Sequence, residues 1–160
     1  MLDLWPPEIA NERIKTPVMI LREQASLLGE KSGNLVQGEV VGDNNNPKNL
    51  IYYFYVVAPT LGNYRYQLFA LEHETITYPL KIHVEELILD EIRTNVKTDS
   101  KTDNFMEYEI IHVDNEAGLI ETLKAIFRSN RTRRIITALM SQADVEWKPV
   151  EKKETTENVI

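Results

Sequence analysis

The stretch that most constrains the fold is the apolar run LIYYFYVVA at residues 50–58. It is rich in aromatic and β-branched side chains, which favour strands, and it is apolar on both of its alternating faces. Such a run predicts a central strand of a sheet, covered on both sides at least in part. Pro59 ends the run, and Gly62 marks a turn that leads into a return strand at 64–73.

Three further strands are predicted at 35–41, 75–84 and 105–113. The second has the clearest alternation in the chain, because every other residue is apolar: Ile76, Tyr78, Leu80, Ile82 and Val84. Pro79 donates no hydrogen bond to a strand ladder. We therefore expect this strand to lie at an edge of the sheet or to bulge at the proline.

Four helices are predicted from start signals and apolar spacing. The first starts at Thr16-Pro17, because threonine caps helix N-termini and proline suits the first helical position. The second covers about 85–94. The third follows Asp114 as its cap, and the fourth starts after Ser129 and ends at about residue 142.

The order of these elements predicts an α+β fold. We expect an antiparallel meander sheet of about five strands, with an N-terminal helix and C-terminal helices packed mainly on one face. One domain should cover 1–143, with an irregular arm at 1–15, and 144–160 should form a flexible charged tail. The polar stretches 42–49 and 94–104 predict loops.

The composition limits both the compartment and the chemistry. The 160 residues include no cysteine, which excludes a disulfide framework, cysteine-ligated zinc and thiol catalysis. No secretory signal opens the chain, and no apolar run approaches the roughly 20 residues that span a bilayer. We therefore expect a cytoplasmic protein with no membrane partner. The net charge of −7 disfavours nucleic acid as a partner and favours a basic one.

Arginines crowd the predicted start of the fourth helix: Arg128, Arg131, Arg133 and Arg134. Cations in a first helical turn oppose the helix dipole, so an anion should compensate them. The acidic stretch 103–121, which contains Glu107 and Glu109 and no Lys or Arg, is the expected source. Two other interpretations stay open. One is a docking surface for an acidic protein, and the other is a phosphate or nucleic-acid site at the helix N-terminus.

Glu107, Glu109 and His112 are the candidates for acid–base or metal chemistry. The two glutamates share one face of the predicted strand, whereas His112 continues the opposite face. Neither the three histidines nor the six glycines form a known metal-binding or phosphate-binding spacing. We therefore predict no catalytic residue, no metal and no cofactor, and a metal-dependent hydrolase is only an alternative.

Tyrosines cluster on the three strands predicted between residues 50 and 84. Alternation divides them between the two faces of the sheet, and most should pack against neighbouring strands. An exposed group would mark a partner surface, because tyrosine is enriched at protein interfaces. The candidates for this aromatic surface are Tyr53, Tyr55, Tyr64 and Tyr66.

Together these patterns predict a non-enzymatic protein that acts by binding another protein. An acidic neutralising partner of a basic protein is one form of this function, and a homo-oligomer is compatible with it. The alternative is the binding of a small anionic ligand or phosphate at the arginine-rich helix start. The position of Glu107 and Glu109 relative to the arginines bears on both of these functions.

Overall fold

A computed structural model of the chain describes residues 1–43, 45 and 48–147. Six strands form one antiparallel sheet with the order β1-β2-β3-β4-β6-β5. The strands are β1 (Gln37–Asp43), β2 (Leu50–Ala58), β3 (Tyr64–His73), β4 (Leu80–Val84), β5 (Lys97–Asp103) and β6 (Met106–Val113). The helices are α1 (Pro17–Lys31), α2 (Glu86–Ile92), α3 (Glu116–Arg128) and α4 (Asn130–Trp147). The predicted antiparallel α+β fold is confirmed, with β1 to β4 as its meander.

Local signals account for the starts of α1 and α3. The Thr16 hydroxyl accepts a hydrogen bond from the backbone N–H of Met19, and Pro17 takes the first helical position, as predicted. The predicted cap of α3 is wrong by one residue. Asn115 accepts from the N–H of Gly118 at 2.8 Å, which leaves Asp114 free to form ion pairs with other side chains.

The core lies between one face of the sheet and the helices. Phe54 of β2 and Phe69 of β3 stack with ring centroids 5.2 Å apart, and Phe127 of α3 packs 5.3 Å from Phe54. These three rings therefore join the sheet to α3. A second apolar cluster seats α4 on the sheet, where Ile135 and Leu139 pack against strand residues such as Val56.

The predicted loop at 94–104 is wrong. Residues Arg93–Asn95 form a short 3-10 helix, and Lys97–Asp103 form the edge strand β5, which pairs along its length with β6. Six of the seven β5 residues are exposed, so the strand has no apolar pattern by which it could be predicted.

Two other boundaries differ from the prediction. The strand predicted at 75–84 begins at Leu80, and it lies between β3 and β6 instead of at an edge. Pro79 precedes the ladder, so the sheet loses no hydrogen bond to it. Helix α4 continues to Trp147, past the predicted end at about 142, and residues 148–160 of the predicted tail lie outside the described residues.

Within the described ranges, no helix combines the length and the apolar surface that crossing a bilayer requires.

Candidate functional site

The arginine-rich start of α4 is neutralised from within the chain. The Nε of Arg131 donates to Oε1 of Glu85 at 2.7 Å, just before α2. The backbone N–H groups of Asn130 and Arg131 donate to the Glu91 carboxylate at 2.7 and 3.0 Å. The hydrogen bond to Glu85, followed by that to Tyr66, raises the pKa of Arg131. The anion that the helix start requires therefore comes from α2.

The predicted source of that anion, the acidic stretch 103–121 with Glu107 and Glu109, is wrong. Glu109 pairs with Arg93, which also binds Asp90 at 2.8 Å, and it does not reach the α4 arginines. Glu107 is exposed and makes no hydrogen bond or ion pair with the residues described. Glu107 and Glu109 are close to the arginines in sequence. The packing of α2 against α4 brings Glu85 and Glu91 to the start of α4 instead.

The remaining arginines do not converge on a common site. Arg128, Arg133 and Arg134 are exposed, and none forms an ion pair with the part of the chain that the structure describes. A small anion or phosphate bound at the start of α4 would need backbone N–H groups there that have no other partner. Glu91 already occupies those of the first two residues, and the Ser129 hydroxyl accepts from Thr132 at 3.2 Å.

The predicted aromatic surface is divided between the two sides of the sheet. Tyr53 and Tyr55 lie on the face away from the helices, where Arg65 covers the Tyr55 ring at 4.1 Å. Tyr64 and Tyr66 lie on the helix side, beside Ile135 and Leu139 of α4. The Tyr66 hydroxyl donates to Oε2 of Glu85 at 2.5 Å and so joins the contacts of Arg131.

His112 belongs to a separate ion-pair cluster at the β5–β6 edge. Its Nε2 lies 2.9 Å from Asp114, and its Nδ1 lies 3.1 Å from Asp99 without an aligned hydrogen bond. Hydrogen bonds from Lys97 and then from His112 hold the pKa of Asp114 below its usual value. Strand alternation directs Glu107 and Glu109 to the opposite face, so these glutamates do not converge with His112. Among the described residues, no group of three His, Asp or Glu side chains is placed to hold a metal ion.

The β5–β6 hairpin carries an exposed apolar tip that the sequence analysis did not identify. Asn104 and Phe105 connect the strands, and both adopt left-handed backbone conformations, with φ of 49° and 65°. Phe105 is 104% exposed and Met106 72% exposed. Asp103 and Glu107 flank the tip and are also exposed. The dipeptide Asp103-Asn104 is a turn signal, but the strand before it lacks an apolar pattern, so the sequence predicts a loop at 94–104 and a strand only at 105–113.

The chain was also compared with known proteins. No family model, no curated protein and no solved structure matches it.

Proposed function

We propose that this protein binds a basic protein partner and that the tip of the β5–β6 hairpin is its principal contact. The observation that carries the proposal is Phe105, a large aromatic side chain that is fully exposed and in a left-handed backbone conformation. The exposed ring gains no packing energy from the fold, and together with exposed Met106 it forms an apolar tip of the residue types that are enriched at protein interfaces.

Backbone strain at Phe105 supports this proposal. A two-residue turn with positive φ at both positions favours Asn followed by Gly, because glycine has no Cβ to clash. Asn104 fits this pattern, whereas Phe105 takes the place of the glycine. A left-handed conformation costs an L-residue about 1–2 kcal/mol. Strain of this kind is concentrated at functional positions, where another requirement outweighs it.

The charges around the tip indicate the kind of partner. The carboxylates of Asp103 and Glu107 are exposed beside the tip, and Lys101 is the neighbouring cation. An aromatic side chain often anchors an interface by entering an apolar pocket, and complementary charges around the pocket speed association. The fitting partner presents an apolar pocket bordered by Lys or Arg.

The hairpin is also held in place before it binds. Arg93 pairs with both Glu109 of β6 and Asp90 of α2, so the base of the hairpin is tied to the helix layer. A rigid binding element loses less conformational entropy on association than a mobile loop. The strand-paired hairpin therefore loses less entropy on binding than an unpaired loop would.

The variant Phe105→Gly tests the proposal, because glycine suits the left-handed position and keeps the turn intact. Wild-type protein immobilised on a column should retain a basic protein from native lysate. With that protein purified, Phe105→Gly should weaken the affinity at least about tenfold, the size of effect expected for an interface anchor. Binding is measured by titration calorimetry.

A matched control is Ile76→Gly, which removes an apolar side chain that is 83% exposed and far from the hairpin in sequence. This control should bind as wild type does. Phe105→Gly should also unfold at a urea concentration no lower than wild type, which excludes a folding defect. If the double variant Phe105→Gly/Met106→Gly binds the partner with the same affinity as wild type, the tip is not the contact.

A further inference from the structure

The first fifteen residues form an arm that is exposed along its whole length. It carries large apolar side chains at Met1, Leu2, Leu4, Trp5 and Ile9, and Trp5 is 72% exposed. Its hydrogen bonds are local, such as that from the N–H of Trp5 to Asp3 and that from the N–H of Ile9 to Pro6. An apolar segment of this size normally has a surface to cover it.

The helix layer contains an apolar groove that is open in the described chain. It runs between α1 and α3 above the buried side chains Phe54, Val56 and Leu68 of the sheet, and its volume is about 430 Å³. Leu27 of α1 and Ile120 of α3 stand on opposite walls and are both exposed. The volume lies within the range of functional binding pockets.

The border of this groove is positively charged. Lys31, Lys124 and Arg128 line it, and no carboxylate does. None of the three cations forms an ion pair with a described residue. Lys31 and Arg128 stand in the last turns of their helices, where the helix dipole favours cations, but Lys124 lies a full turn earlier. These three cations give the border of the groove a local positive charge in a chain of net charge −7.

We propose that this groove binds the arm of a second copy of the chain. The arm supplies apolar side chains for the exposed walls. Its carboxylates Asp3, Glu8 and Glu12 outnumber its cations Arg13 and Lys15, and Lys15 already pairs with Glu23 of α1. The two surfaces are therefore complementary in both polarity and charge. Two copies that exchange arms would form a closed two-fold dimer, the commonest arrangement of protein oligomers. Elsewhere the acidic surfaces of two copies repel each other, which restricts contact to the arm and groove.

The test is the oligomeric state of the full chain, measured by sedimentation velocity over a range of concentrations. Wild type should reach a dimer at the highest concentrations. Two double variants should stay monomeric at the same concentrations: Leu4→Ser/Trp5→Ser, which impairs the arm, and Lys124→Glu/Arg128→Glu, which impairs the groove. Ile76→Ser, an exposed apolar position outside both surfaces, should dimerise like wild type.

Mixing the two defective variants gives the most specific result. The first keeps an intact groove and the second an intact arm, so the mixture should form a heterodimer that neither variant forms alone. Circular dichroism confirms that each variant is folded. A wild-type chain that is monomeric throughout overturns the proposal, as does a dimer that survives both double variants. Burial of Trp5 in a monomer, detected by its fluorescence in a Trp147→Phe background, would place the arm in its own groove and also overturn it.

Discussion

At the scale of single side chains, Glu91 caps a helix that begins 39 positions further along the chain. Its carboxylate accepts hydrogen bonds from the N–H groups of Asn130 and Arg131, the latter forty positions further along the chain. Most helices obtain this capping from a residue next to their own first turn. Here Ser129 caps only the N–H of Thr132, so α2 completes the capping of α4. The start of α4 therefore depends on a tertiary contact.

The substitution Glu91→Ala should lower the free energy of unfolding by about 1 kcal/mol, the usual cost of losing a helix cap. Urea unfolding followed by circular dichroism measures this change. Glu121→Ala removes an exposed glutamate from α3 that makes no hydrogen bond or ion pair with the described residues, and it should leave the stability almost unchanged. Equal effects of the two substitutions would show that the Glu91 contact does not stabilise α4.

For helices and strands, the close approach of α1 to β1 depends on Gly38. A Cβ atom at this position would overlap the backbone of Ala25 in α1. Gly38→Ala should therefore push α1 away from the sheet and destabilise the fold by about 1–3 kcal/mol, the usual cost of overpacking. Gly42→Ala in the same strand is the control, because its Cβ would meet only the Tyr52 side chain at 3.4 Å. Thermal unfolding of both variants compares them directly. Similar melting temperatures would contradict the proposed role of Gly38.

The helices and strands also show which elements the sequence predicts and which it does not. β2 and β3 were predictable because their residues carry strong strand preferences, and α1 because Thr16-Pro17 is a local start signal. β5 was not predictable, since a strand exposed on both faces has no apolar period. The partners of Arg131 were not predictable either. Glu85 lies 46 positions away from it, and only the packing of α2 beside α4 brings the two together.

Across the whole fold, Tyr66, Glu85 and Arg131 connect β3, the start of α2 and the start of α4. Tyr66 also packs against both apolar clusters, so this contact joins the two parts of the core. Burial, and then the hydrogen bond to Glu85, raises the pKa of Tyr66 above its ordinary value of about 10. Its proton is thus bound more tightly in the folded chain than in the unfolded chain.

This shift predicts a loss of stability at alkaline pH. The contribution of Tyr66 to the free energy of unfolding is fully present below about pH 10. It is lost as the pH rises through the pKa that Tyr66 has in the folded chain. Tyr66→Phe should be less stable than wild type at about pH 8, and the difference should shrink above about pH 10. Tyr64 is half-exposed, and Tyr64→Phe should have the same stability as wild type at every pH. Urea unfolding at several pH values provides the measurement, and a constant difference between Tyr66→Phe and wild type would refute this linkage.

The position of the hairpin tip has a consequence for how such a chain can diverge. Phe105 and Met106 are exposed and lie outside both apolar clusters, so the packing of the core does not restrict which side chains stand there, although the left-handed backbone at Phe105 favours glycine. Replacement of these two residues can change what is recognised while the sheet and helices keep their packing. Selection for a new specificity and selection for a stable domain can therefore act on separate parts of the same molecule.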